Sequence, residues 1–291
     1  MLAILIDVGV PFCAILLMFI AGTDIRLRSL AALRQSPRAV ATGSLGQLLI
    51  TPAVGLAVIY AAAPAKPIAA CVMLLSICPG GGISTYYTYI ARANVALSAL
   101  ITALSTILSL FTIPAWLALF SHVGWSFLGI AQVPATQILT QLLLFMVLPI
   151  AAGAIMQRRH TDLIERHGPQ LRRLSIAVIS IVLLLSGISM ATQIGAVAQD
   201  IAVTSTMFIL LAMGAAHITA IGIPAYERHA VVIESAVRNI AVALLLGRSL
   251  LDTSGLAILA AFLTGYFLIE LVIILGYAAV VQKANLAPAR G

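Results

Sequence analysis

Charge is scarce in this sequence. Only 9% of its 291 residues are Asp, Glu, Lys or Arg, and nine of those are acids. A globular chain usually carries about 25%. So few charges cannot clothe a water-facing surface, which excludes a soluble domain and leaves an integral membrane protein. Strand-like alternation is weak, so helices and not an outer-membrane barrel are expected. Cysteine is rare too. Cys13, Cys71 and Cys78 all sit in apolar runs without CxxC or Cys/His ligand spacing, which reads as reduced packing thiols. Enzyme signatures are missing: no HExxH, no GxSxG, no P-loop and no paired carboxylates in one loop. The expectation is therefore a protein that is not an enzyme, and ATP-driven work would need a partner subunit. No cleavable leader is evident, because the stretch 2–20 is too long for one and lacks a basic start.

Hydrophobic residues make up 62% of the chain. Nine apolar segments can be drawn: 2–22, 38–63, 67–91, 95–120, 134–157, 171–191, 199–223, 226–247 and 252–281. Each suits a span of about 20 residues with some tilt. Pro52, Pro114, Pro149 and Gly187 fall inside spans and read as kinks or close-packing points. The net charge of +7 is not a nucleic-acid signal here, because the basic residues lie in short loops. Arg26, Arg28, Arg34, Arg38, Arg92, Arg158, Arg159, Arg166, Arg172, Arg173, Arg228, Lys283 and Arg290 fall on one side. Lys66 and Arg248 fall on the other. The rule that basic loops stay inside puts the N-terminus outside and the C-terminus in the cytoplasm, as a multi-pass protein of a plasma membrane, expected to be a bacterial inner membrane. Odd span number and opposite termini agree.

Two of the nine segments are interrupted. Cys78-Pro79-Gly80-Gly81-Gly82 cannot continue a helix, since proline lacks the N–H donor and glycine carries the largest ordering cost. The flanks are too apolar for water. The freed backbone groups must then meet protein, water or an ion, because lipid cannot satisfy them. Broken helices of this kind build midplane binding sites in secondary transporters. A second break is expected near Glu234-Ser235-Ala236-Val237-Arg238-Asn239. The broken helices 67–91 and 226–247 suggest inverted repeats, 1–121 and 134–283, with the first lacking one helix and 284–291 left as a cytoplasmic tail.

Ionisable groups inside spans are costly, about 2.5–3.5 kcal/mol each at the centre. Glu234 and Arg238 lie four apart. Either they neutralise each other, or Glu234 binds a cation while Arg238 replaces a second cation or meets an anionic substrate. Glu270 is also intramembrane, where structural pairing or a lipid-interface position stands beside a transport role, and Asp7 lies near the outer end and reads as solvated. Ser84, Thr85, Ser98 and Thr102 flank the first break, with Ser98 and Thr102 on one helix face. Each hydroxyl alone is best read as bonding to its own helix. Together with a carboxylate they form an oxygen cage suited to an alkali cation and not to zinc or copper. His217 reads as a satisfied core histidine, with a proton relay as the alternative. Tyr86, Tyr87 and Tyr89 either line a cavity or anchor at the interface.

Several runs resemble the bile acid:sodium symporter family. They are Ser36-Pro37-Arg38-Ala39-Val40 leading to Gln47 and Pro52, Cys78-Pro79-Gly80-Gly81, Tyr89-Ile90-Ala91-Arg92, Val95-Ala96-Leu97-Ser98, Thr102-Ala103-Leu104-Ser105-Thr106 and the motif from Glu234 to Asn239. The resemblance implies an all-α membrane fold with a core and a panel domain, in which the two broken helices cross. It implies a first sodium site from Ser84, Thr85, Ser98, Thr102 and Glu234. A second would use Gln47, Glu234 and backbone oxygens around Ser235 and Val237. The substrate would meet Gly81, Gly82, Arg238 and Asn239. The chain departs from the family in three places: Thr85 stands where Asn is usual, Arg238 where Gln is usual, and Gly82 where Thr is common. A guanidinium accepts no hydrogen bond and is always charged, so Arg238 should repel a second sodium and fill its place. The nine-span count fits members lacking the first helix. The implied activity is alternating-access transport of a small organic anion with sodium. The alternative is a sodium-independent or proton-linked facilitator or efflux permease of the same fold. The partners implied are the anion, sodium and the lipid bilayer, without nucleic acid. Oligomeric state is left unassigned.

Overall fold

A computed structural model describes residues 10–25, 34–122, 134–189 and 191–286, and every described element is helical. The elements are α1 (Val10–Thr23), α2 (Pro37–Ala62), α3 (Lys66–Ile77), α4 (Ser84–Ile90), α5 (Val95–His122), α6 (Ala135–Arg159), α7 (Thr161–Ser189), α8 (Ala191–Thr219), α9 (Ala225–Ala236), α10 (Ile240–Leu250) and α11 (Thr253–Leu286). Five stretches are long and apolar enough to cross a membrane unaided: Pro37–Ala62, Val95–His122, Ala135–Arg159, Val197–Thr219 and Thr253–Lys283. Two rods are interrupted, α3/α4 at 78–83 and α9/α10 at 237–239. With α1 and α7 these make nine rods among the described residues, one for each apolar segment of the sequence.

Proline punctuates the chain. Pro37 and Pro67 sit in the first turns of α2 and α3, where a missing N–H costs nothing, and Pro224 caps α9. Ala63 at φ 44° ends α2 in the left-handed region, and Gly222 at φ 81° makes the turn from α8 to α9. Two prolines have a further effect. A widened π turn, Gly46–Ile50, precedes Pro52 in α2, and Leu143–Val147 precedes Pro149 in α6. Pro52 has no N–H for the carbonyl of Leu48, and that oxygen accepts instead from the indole of Trp116, 2.9 Å away.

Helices α1 and α6 form the most extensive pairing. A Cβ on Gly22 would strike the Ile150 carbonyl, and one on Gly153 would strike that of Phe19. Small residues let these two backbones touch, which is how helices associate when lipid provides no hydrophobic drive. The broken rods pack among α2, α5, α8 and α11. Their residues, from Ile68 to Cys78 and from Ala230 to Leu246, are almost all buried.

Four sequence expectations need correction. The arginine-bearing stretch before residue 171 is not a loop: Arg158 and Arg159 end α6 and α7 starts at Thr161, with Asp162 in its first turn. Cations at a helix C-terminus and an acid at an N-terminus both favour this. Residues 192–198, left between two of the drawn segments, are helical, since α8 begins at Ala191. Helix α11 runs into the expected tail as far as Leu286. His217 is exposed in the last turn of α8 and is not a core histidine. Asp7, Arg26, Arg28 and Arg290 lie outside the described residues.

Candidate functional site

The two breaks cross. Gly80 and Arg238 form an antiparallel bridge. Gly81 N–H donates to Val237 O at 3.1 Å, and Asn239 N–H donates to Pro79 O at 3.0 Å. Backbone groups released by one break are thus satisfied by the other, as a membrane interior demands. The approach leaves no room for side chains at two glycines. A Cβ on Gly80 would lie 2.6 Å from Gln47 Nε2 and 2.9 Å from Glu234 Oε2, and one on Gly81 would lie 2.7 Å from Arg238 O. At Gly82 the nearest atom is Ala21 Cβ, 3.7 Å away, so that position has space.

Beside the crossing sits the carboxylate of Glu234, fully buried at the end of α9. Ser84 Oγ donates to its Oε1 at 2.5 Å, and Ser98 Oγ donates to the same oxygen. Thr102 Oγ1 donates to Oε2 at 2.8 Å, and Gln47 Nε2 donates there at 2.9 Å. Thr85 reaches the group only through Ser98, at 3.4 Å. Four elements contribute: α2, α4, α5 and α9. Three of the four hydroxyls anticipated from sequence, those of Ser84, Ser98 and Thr102, therefore meet the carboxylate, across 132 to 150 residues of chain. A hard-oxygen set with one negative charge, closed to solvent, has the donor chemistry of an alkali-cation site.

Arg238 is also buried. Its Nη1 donates to Thr51 Oγ1 at 2.9 Å, Cys78 O at 3.0 Å and Gln47 O at 3.3 Å, while Nη2 donates to Glu234 O at 3.1 Å. Gln47 O sits in the π turn, and Cys78 O sits in the first break. Gln47 meanwhile turns its Nε2 to Glu234 O and its Oε1 to Gly80 N–H. Val237 O is occupied by Gly81 N–H. Of the groups expected to hold a second cation, the main-chain oxygens of Glu234 and Gln47 accept from the guanidinium, while Gln47 Oε1 and Val237 O are taken by backbone N–H groups of the first break. Its Nε alone has no partner.

On the far side of the crossing is a small cavity of about 60 Å³, lined by Met18, Gly82, Arg238, Asn239, Phe267 and Glu270 among others. Asn239 caps α10, its Oδ1 accepting from Val242 N–H at 3.2 Å, and turns its Nδ2 to Met18 Sδ. Of the tyrosines, Tyr87 is buried, while Tyr86 and Tyr89 are exposed and border a wider cleft of about 600 Å³ with Glu165 and Arg173. Cys71 and Cys78 are free and buried, as read from sequence.

Three participants were not visible in the sequence. Thr51 bonds Arg238, Cys78 supplies a carbonyl, and Tyr266 in α11 ties the second break by donating to Ala236 O. The one available signal was Pro52, which marks a widened turn but not what the turn would face.

Comparison with known proteins gives the context. The chain matches the family model "Sodium Bile acid symporter family" over residues 11–199. A probable chloroplastic sodium/metabolite cotransporter, BASS2, from Oryza sativa subsp. japonica is 38% identical over 103 residues, 35% of this chain and 24% of that protein. The P3 protein of Homo sapiens is 31% identical over 240 residues, 77% of this chain and 47% of that one. A sodium-dependent organic anion transporter of Homo sapiens is 30% identical over 146 residues, covering 50% and 38%. The chain spans about a quarter to a half of the length of these relatives. It belongs to the sodium bile acid symporter family, whose members are transporters and not enzymes. It is a multi-pass membrane protein.

Proposed function

We propose that this family member is an alternating-access transporter that moves one sodium ion with a small organic acid, and that Arg238 stands permanently where a second sodium would bind. The observation that carries this is the contact set of the guanidinium. It donates to the carbonyls of Glu234 and Gln47, two residues expected at that site, and to that of Cys78 beside them. Glu234 with Ser84, Ser98, Thr102 and Thr85 forms the remaining sodium site. The acid group of the passenger is placed in the cavity beside Gly81, Gly82 and Asn239, where α10 begins. The first N–H groups of a helix and its dipole favour an anion there.

One sodium entering down 100 mV contributes about 2.3 kcal/mol, which supports roughly fortyfold accumulation of an uncharged load. Two ions would square that factor. The halves 1–121 and 134–283 act as inverted repeats about the crossing, with the N-terminus outside and the C-terminus in the cytoplasm of a bacterial inner membrane.

The test is a sodium titration of thermal stability on the purified full chain, followed by uptake into proteoliposomes. A Hill coefficient near one is expected in both. A value near two overturns the assignment of Arg238. Stability and counterflow that ignore sodium altogether would favour a facilitator, in which Glu234 is held by Gln47 and the hydroxyls without an ion.

A further inference from the structure

Glu270 on α11 is the one buried carboxylate that the sodium reading leaves unused. It is fully buried, with the Arg238 main chain and the Tyr266 hydroxyl near its carboxyl but neither in full hydrogen-bond geometry. The nearby Tyr266 hydroxyl is turned to Ala236 O instead. Glu270 lines the same small cavity as Gly82, Arg238 and Asn239. Phe267 also lines it, three residues before Glu270 and so on the same helix face.

Among the described residues, Glu234, Arg238 and Glu270 are the only buried members of the Asp, Glu, Lys and Arg set. With both carboxylates ionised, two negative charges and one positive leave one negative, and a single sodium at Glu234 cancels it. A passenger carrying a bare negative charge would then enter the cavity without a net positive charge to balance it, beside the carboxylate of Glu270. Like charges in such surroundings are strongly unfavourable. A passenger that brings its own positive group meets no such barrier. Its ammonium can pair with Glu270 and lie against the ring of Phe267, since cations are attracted to aromatic faces. Its acid group can take the start of α10. We infer that the organic acid this transporter carries is zwitterionic, with an ammonium group recognised by Glu270 and Phe267. This rests on the reading of the cavity as the passenger site.

The experiment uses the purified full chain in detergent, with binding read by thermal shift at saturating sodium chloride. The probes are L-alanine, β-alanine and glycine betaine, with propionate as the acid lacking a positive group. At least one zwitterion should bind about tenfold or more tighter than propionate, the scale of one hydrogen bond to a charged group. In Glu270→Gln that preference should vanish while propionate binding holds or improves. The sodium shift without any probe should be unchanged in the variant, which also reports that it folds. Equal binding of propionate and the zwitterions overturns the inference, as does a preference that survives Glu270→Gln. So does propionate binding that appears in the wild type only at low pH and at every pH in Glu270→Gln, because Glu270 then takes a proton. No shift from any zwitterion, with the sodium response intact, overturns the inference alone. Loss of the sodium response in the wild type removes the underlying transport reading instead.

Discussion

Arg238 donates from Nη2 to the main-chain oxygen of Glu234, 3.1 Å away, and not to its carboxylate. The two residues are four apart, yet the break between them prevents a side-chain ion pair. The carboxylate is left to the hydroxyls of α4 and α5, and the guanidinium caps the carbonyl end of α9. Each charge therefore has its own set of oxygen or hydroxyl partners.

Replacing Arg238 by Gln should restore the side chain usual at this position in the family and open the second cation position. The expected outcome is a sodium Hill coefficient that rises from near one toward two, read in the same stability titration. Arg238→Ala should behave differently. It strips donors from buried carbonyls and should cost about 3–5 kcal/mol of stability, the range for breaking a buried charge network.

Ser98→Ala removes a direct donor to Glu234 Oε1, whereas Thr85→Ala removes only a neighbour of Ser98. A hydrogen bond to a charged group contributes about 1.5–3 kcal/mol. The sodium midpoint should therefore rise about tenfold or more in Ser98→Ala and by clearly less in Thr85→Ala. Equal shifts would count against the geometry.

The glycines of the first break should separate into two kinds. In Gly80→Ala the new Cβ meets Gln47 and Glu234 at under 3 Å, so the crossing must move and the melting temperature should fall with loss of transport. In Gly82→Ala the methyl has room against Ala21. That variant should keep its stability and weaken only passenger binding, which a paired measurement of melting temperature and probe affinity resolves.

Gly153→Ala addresses the α1–α6 contact, away from the oxygens around Glu234. Its Cβ would overlap the Phe19 carbonyl, so the two backbones must separate. Overpacking of this kind costs about 1–3 kcal/mol. A lower melting temperature with an unchanged sodium midpoint is expected.

Tyr266→Phe removes the hydroxyl that holds Ala236 O at the second break. A buried carbonyl without its donor costs about 1–3 kcal/mol. Stability should drop by that order, checked by thermal unfolding in detergent.

The sequence by itself determined the membrane class, the nine rods and the two interruptions. Charge scarcity, segment length and Pro79-Gly80-Gly81-Gly82 are local properties, and lipid allows few answers to them. It also named the hydroxyls and the carboxylate, because polar groups in an apolar run stand out. Only the tertiary structure decided which oxygens meet. That Arg238 faces Thr51, Gln47 O and Cys78 O depends on a π turn in α2 and an extended pairing between segments more than 150 residues apart. No pattern along the chain encodes such a distance. Hydropathy along the chain also put His217 inside and residues 161–170 in a loop, because an apolar run says which segments can enter the membrane but not which face of a helix is covered or where a polar helix starts. The setting of Glu270 is the same kind of fact: which groups face a buried carboxyl is decided only once the chain has packed.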